Sequence, residues 1–373
     1  MLSIWEQRSF SARPQVAVVG AGIVGLFTAL HHKRAHPRHR VLVLERGPHP
    51  SGASVKNAGF ACFGSPSELL ADMAAEGEER ALRRVEQRWR GLQELRAELG
   101  DAAIGFEASG GHELFADDPL YTRVAEGFDG LNRSLHAIFG RRVYEWADGR
   151  KGDLGLRTDH LAYTDLEGPV DSGKLMQALL RKAQEAGVEL QFNAGVTAVD
   201  EEADGVRLAL ADGDPILADR VAVCTNGYTQ ALFPLLDVLP ARGQVLLTAP
   251  IPGMKLKGTF HANEGYVYFR DLDGAVLLGG GRDLDKAGET TTADDVTPLI
   301  QDHLEHLLRT VIIPGTPYTI AGRWSGVMAF ASAGKEPLVE RISPRVVVAV
   351  RLSGMGVAIG IRVARRAAGL VAE

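Results

Sequence analysis

The chain has 373 residues, room for one large domain or two interleaved ones, with 45% hydrophobic and 24% charged residues, the balance of an ordinary globular protein. A net charge of -6 argues against a nucleic-acid partner, which calls for a basic face. Two cysteines in unrelated contexts, Cys62 and Cys224, exclude a disulfide framework and fit a reducing cytoplasm. The first ten residues lack the apolar core of a signal peptide, and no run approaches the roughly 18 apolar residues of a membrane span. The expectation is a cytoplasmic protein without an integral membrane segment.

The most specific pattern comes first in chain order. An apolar run, Val16–Val19, ends in Gly20-x-Gly22-x-x-Gly25, a helical pattern follows, and a second apolar run, Val41–Leu44, closes on Glu45-Arg46. This is the βαβ dinucleotide fingerprint in its required context. Gly20 allows the turn, Gly22 the approach of a pyrophosphate, and Gly25 close packing of helix on strand. Ile23 and Val24 open the helix, whose first N–H groups and dipole favour phosphate. Glu45 is placed to accept from a ribose diol. The fingerprint alone does not separate NAD from FAD. His31, His32, His36 and His39 read as a solvated cluster in the helix-to-strand connection, with no metal site expected.

Helical periodicity runs from Pro66 to Leu99, divided at Gly77, then a short strand at Leu114-Phe115, then one or two helices over Leu120–Phe139. Gly168–Asp171 reads as a loop before a helix over Ser172–Ala186. Strands follow near Val188–Phe192, Val196–Glu201, Val206–Leu210 and Arg220–Cys224, the middle ones as an antiparallel ribbon. Beyond Pro240 come strands at Gln244–Thr248, Tyr266–Phe269 and Val276–Leu278, a helix at Thr297–Leu308 and a strand at Arg345–Val350. A glycine-rich turn over Ser353–Gly360 precedes a helix over Ile361–Ala372.

The fold class is therefore α/β: a Rossmann-like FAD-binding domain with an interleaved α+β substrate domain built on an antiparallel sheet. The FAD-binding domain is expected over 1–75, 160–232 and 321–373, and the substrate domain over 76–159 and 233–320. The interruption tilts the cofactor towards FAD, since NAD dehydrogenases more commonly complete this domain in one block.

Three segments add chemistry. Ser51–Phe60 reads either as an ordinary polar loop or as small residues and donors at Ser54, Lys56, Asn57, Ala58 and Gly59 offered to a pyrophosphate and a flavin edge. Asn226 and Gly227 follow a strand, either as a turn lining the dinucleotide or as a plain strand exit. Gly354, Met355, Gly356, Val357 and Ala358 start the last helix, aiming N–H groups and a positive helix end at developing negative charge, as a reduced flavin carries.

These residues resemble the D-amino-acid-oxidase-like superfamily of FAD-dependent oxidoreductases, which includes glycine oxidase, sarcosine oxidase and γ-glutamylputrescine oxidase. The likeness rests on Gly20–Gly25, Glu45-Arg46, Gly52–Gly59, Thr225–Tyr228, Trp324-x-Gly326 and Gly354–Gly356. It implies FAD in an extended pose with its ring between the two domains, contacts extending to Val196, hydride transfer from an amine or amino-acid α-carbon to flavin N5, and hydrolysis of the imine product. Oxygen or another acceptor would regenerate the flavin. Alternatives are a 2-hydroxy-acid oxidase or dehydrogenase on the same fold and a non-catalytic flavin-binding subunit.

Departures from the family pattern matter too. No cysteine stands in Gly326–Lys335, and Lys56-Asn57 replaces the histidine that some relatives join to flavin, so FAD is expected to be non-covalent. The Gly-Leu-Arg-Pro motif that carries an arginine in relatives is replaced here by Gly326-Val327-Met328-Ala329. Substitutes for a carboxylate clamp are Arg270, expected to share one strand face with Tyr266 and Tyr268, and Arg323 and Lys335. Lys56, Arg270 and Arg323 are the candidate catalytic side chains. His261 is the histidine nearest these strands, with a surface position expected.

Overall fold

The computed structural model describes residues 3–116 and 118–373. The chain divides into two compact units, one with residues up to Val55, Gly173–Ala241 and Met328–Glu373, the other with Lys56–Ser172 and Arg242–Val327. The sequence placed the divisions at 75/76, 159/160, 232/233 and 320/321, so the first division lies well before its expected place.

The first unit is built on a six-stranded sheet in the order Leu338–Ser343, Val346–Val350, Arg220–Val223, Val16–Val19, Val41–Leu44, Glu189–Gln191. All neighbours are parallel except the antiparallel Leu338–Ser343 edge. Valine and leucine dominate its central strands because both faces are covered. Ala17, Val19, Leu42, Leu44, Val221, Val223, Val346 and Val348 form the core on one face. The helices Ile23–Ala35 and Gly356–Ala372 pack together, with the Thr28 hydroxyl reaching Ala364 O at 3.5 Å. The expected ribbon is a three-stranded antiparallel sheet of Val196–Glu201, Val206–Leu210 and Ile216–Ala218.

The second unit carries an eight-stranded sheet in the order Ile320–Phe330, Leu239–Thr248, Ala275–Gly280, Val267–Leu272, Thr259–Ala262, Gly111–Phe115, His160–Thr164, Glu145–Trp146. Its recorded pairings are antiparallel apart from Thr259–Ala262 with Gly111–Phe115. Phe260, Phe269, Val276, Leu278, Ile300 and Leu304 fill one core, which anchors the helix Pro298–Leu307. A second core around Phe63, Phe128, Leu131 and Tyr144 holds the helices Pro66–Glu76, Glu78–Leu99 and Pro119–Phe139. The long helical pattern does divide at Gly77, and Pro119–Phe139 is one helix.

Several local readings are corrected. Gly168-Pro169, expected as loop, pairs antiparallel with Phe60-Ala61. The glycine-rich turn ends earlier than expected: the last helix starts at Gly356, and Gly360 lies inside it, where a Cβ would come within 2.7 Å of Ile23 Cγ2. That contact explains the residue as a packing glycine. The histidine cluster is not simply solvated. His32 is buried, its Nε2 lies 3.0 Å from His39 Nδ1, and burial pushes it down to about 4.

Candidate functional site

In the first unit the glycine loop is shaped by contacts that leave no room for side chains. Gly20 has φ +102°, and a Cβ on Gly25 would fall 1.9 Å from Gly20 O, so the helix starts hard against the strand exit. Ile23 N donates to Ser54 Oγ at 3.0 Å, which brings the second predicted segment onto the helix start. Glu45 is buried, and its carboxylate accepts from Ala21 N at 3.0 Å and Gly47 N at 3.2 Å. An acid therefore stands beside the loop, as ribose recognition needs. The Arg46 guanidinium lies 3.8 Å over the Tyr228 ring. Ala194 N donates to Glu45 O, and Gly195 lies against Arg46, so the chain entering Val196 is fixed next to the acid.

The two late segments meet each other. Asn226, at φ 46°, accepts from Arg351 N at 3.1 Å and Leu352 N at 3.4 Å through its side-chain oxygen. Arg351 and Ser353 are themselves held at φ 65° and 49°, a region costly for residues other than glycine. Gly227 sits in a short helical turn over Asn226–Ala231. The Ser353 hydroxyl is buried without a partner, immediately before Gly354, Met355 and the helix that runs through Val357 and Ala358. Helix geometry leaves the first N–H groups there without acceptors four residues back. A glycine cradle, an acid beside it and an orphaned buried hydroxyl at a helix start together fit an anionic dinucleotide.

The second unit gathers another set. Lys56 pairs with Asp294, and its carbonyl accepts from Trp324 Nε1 at 3.0 Å. Asn57 Oδ1 accepts from Gly59 N at 2.8 Å and Ser172 Oγ at 2.7 Å, closing the turn through Ala58. Arg270 is buried; Nη1 donates to Gly59 O at 3.1 Å and Val170 O at 2.7 Å, and Nε to Asp271 O at 2.9 Å. Burial pulls its pKa below the ordinary value. Tyr268 lies 6.0 Å from Phe60, ring to ring, and burial pushes its hydroxyl up to about 12. Tyr266 does not share that strand: it belongs to the turn before Val267–Leu272, with Lys286 Nζ 5.0 Å from its ring. Arg323 lies away from this set, donating to Gln301 Oε1 and Glu305 Oε1, both at 2.5 Å. Lys335 belongs to the first unit.

His261 departs most from expectation. It is 7% exposed, both ring nitrogens lack partners, and burial pushes it down to about 4. It lines a cavity of about 10 Å³ together with Glu113, Glu167, Tyr144 and Ser65. Burial raises Glu113 to about 7 and Glu167 to about 8. Among the described residues no group of three or more metal-ligating side chains could hold an ion, and no helix is long and apolar enough to cross a membrane. Sequence reasoning missed Asp294 and the orphaned Ser353 hydroxyl. Ser353 stood within the glycine-rich motif, whereas Asp294 carried no local signal.

Known proteins extend these observations. A D-amino acid dehydrogenase of Rhizobium johnstonii is 25% identical over 377 residues, covering 86% of each chain. A glycine oxidase of Geobacillus kaustophilus is 28% identical over 286 residues, 72% of this chain and 70% of that one. The crystal structure of iminodiacetate oxidase from Chelativorans sp. BNC1 matches the fold with a TM-score of 0.77 at 23% identity, over 96% of this chain and 95% of the other. The family described as FAD dependent oxidoreductase, DAO, matches residues 15–370. This chain therefore belongs to the DAO family of FAD-dependent oxidoreductases, with FAD as its cofactor.

Proposed function

We propose that this chain oxidises a C–N single bond of an amine or amino acid, with FAD held non-covalently. The observation that carries the reading is the family match over residues 15–370, together with relatives named D-amino acid dehydrogenase and glycine oxidase. FAD, which the Gly20–Gly25 loop and Glu45 would hold, would supply a hydride acceptor for the carbon next to nitrogen, the substrate's N–H proton passing to solvent as its C=N forms. Water then adds, releasing a carbonyl compound and ammonia or an amine.

The protein's own part is to bind and orient. N–H groups of the Gly20–Gly25 loop hold the pyrophosphate, and Glu45 receives a ribose hydroxyl. Ser353 and the start of Gly356–Ala372 supply donors where negative charge grows, a preorganised arrangement that needs no reorganisation during the reaction. Asn57 and Lys56 shape a turn of the second unit, held through Gly59, Ser172 and Trp324. Catalysis then rests on orientation, and no dedicated base is required for a neutral amine. Two free cysteines support a cytoplasmic setting. Oxygen or another acceptor takes the electrons.

The test is anaerobic mixing of the purified holoprotein with amines, amino acids and 2-hydroxy acids while the flavin absorbance is followed. Bleaching by C–N substrates, with release of ammonia or amine, is expected. Bleaching only by hydroxy acids, or by none, would overturn the reading. Acid precipitation should leave a colourless pellet, and a yellow one would contradict non-covalent binding.

A further inference from the structure

We propose that the substrate amine is recognised through an apolar substituent of aromatic size, and that no carboxylate is needed to anchor it. The inference rests on the C–N reading and adds the class of substrate.

The second unit presents the surface for it. Val245, Gly279, Tyr268, His261 and Glu113 are successive cross-strand partners, so they form one row on one face of the sheet. Phe60 stands edge-on to His261 at 5.1 Å and to Tyr268 at 6.0 Å. Half-buried Phe60, Leu247, Tyr268, Leu272 and Trp324 pack on buried Ala58, Val245 and Leu277. This patch grows from the Lys56–Gly59 turn, because Trp324 is bonded to Lys56 and Phe60 follows Gly59. A contiguous, partly open apolar patch beside polar turn residues is the surface a ligand covers.

Arg270, Arg323 and Lys56, the basic side chains nominated for a carboxylate, are already engaged. A guanidinium grips a carboxylate through two nitrogens of one edge. In Arg270, Nε is bonded to Asp271 O and Nη1 to Gly59 O and Val170 O, so each edge that includes Nη2 has its other nitrogen occupied. In Arg323, Nη1 and Nη2 are bonded to Gln301 and Glu305. Lys56 faces Asp294, whose second oxygen accepts from Ser325 Oγ at 3.0 Å. A carboxylate brought to Arg270, Arg323 or Lys56 would have to displace these existing partners.

The experiment compares N-methylphenethylamine, N-methylphenylalanine (both enantiomers), dimethylamine and sarcosine as anaerobic reductants of the wild-type holoprotein. The first two differ by a carboxylate; dimethylamine and sarcosine lack the ring. The expected result is a ratio of flavin-reduction rate constant to dissociation constant for N-methylphenethylamine at least about tenfold above each of the others, equivalent to about 1.4 kcal/mol. An equal or higher value for N-methylphenylalanine or sarcosine would overturn the proposal while leaving the C–N reading intact. An equal value for dimethylamine would overturn the role of the apolar substituent. Reduction by no amine or amino acid at all would overturn both.

Discussion

The side-chain oxygen of Asn226 accepts the backbone N–H of Arg351 at 3.1 Å, across 125 residues of sequence. Through this bond the exit of the Arg220–Val223 strand holds the turn that starts the last helix. The turn needs holding, since Arg351 and Ser353 both have positive φ. Asn226→Gly keeps the left-handed backbone accessible and deletes the amide, leaving backbone donors unsatisfied at a cost of about 1–3 kcal/mol. FAD should dissociate about tenfold more readily, read by flavin fluorescence on dilution. Unchanged affinity would show that the bond does not support the cofactor site.

Gly25→Ala addresses the other end of the cradle. Its Cβ would meet a backbone oxygen at 1.9 Å, and backbone cannot rotate away as a side chain does. Overpacking of this kind costs about 1–3 kcal/mol. Purified G25A should be pale, with little FAD and a lower melting temperature. Full flavin content and wild-type melting would contradict the packing argument.

Arg270→Met removes the donor that ties Val170 O and Gly59 O to the Val267–Leu272 strand. Gly59 O retains the Val170 N–H at 2.9 Å, so the main loss falls on Val170 O, about 1–3 kcal/mol. A melting temperature lower by several degrees is expected from that loss, with the ratio of amine to amino-acid turnover unchanged. Selective loss of amino-acid turnover at wild-type stability would instead assign Arg270 to a substrate carboxylate.

The buried acids predict a pH dependence. Glu167 accepts from Phe63 N at 2.8 Å and Gly64 N at 3.3 Å, with Arg88 and Glu68 nearby, yet burial dominates and lifts it to about 8. Its folded pKa lies above the unfolded value, so the folded chain holds the extra proton. Its stabilising contribution is complete below about pH 4.5 and is lost as pH rises through 8. His32, His112 and His261, each lowered to about 4, act oppositely: their contribution is present above 6.5 and lost as pH falls towards 4. Melting temperature against pH should fall on the alkaline side, and Glu167→Gln should flatten that fall. An unaltered alkaline slope in E167Q would contradict this.

The parallel sheet and the glycine loop were legible because their signals are local. Val16–Val19 and Val41–Leu44 are continuous apolar runs, and the glycines lie at fixed spacing between them. The ribbon formed by Phe60-Ala61 and Gly168-Pro169 was not, since two-residue strands carry no periodicity and their partners are far apart in sequence. His261 was misplaced for a related reason. Alternation along Thr259–Ala262 tells which residues share a face, but burial of that face depends on Phe60, Tyr268 and Glu113 from other strands. The basic residues show the same limit. Sequence located Arg270 on a strand, whereas its bonds to carbonyls follow from tertiary pairing.

The central claim is oxidation of a C–N bond. Its most direct measurement is anaerobic flavin reduction by N-methylphenethylamine, followed by assay of the products. Bleaching of the flavin is expected, with one primary amine and one carbonyl compound released per flavin reduced. A flavin that stays oxidised with every amine and amino acid, yet bleaches with a 2-hydroxy acid, would contradict it.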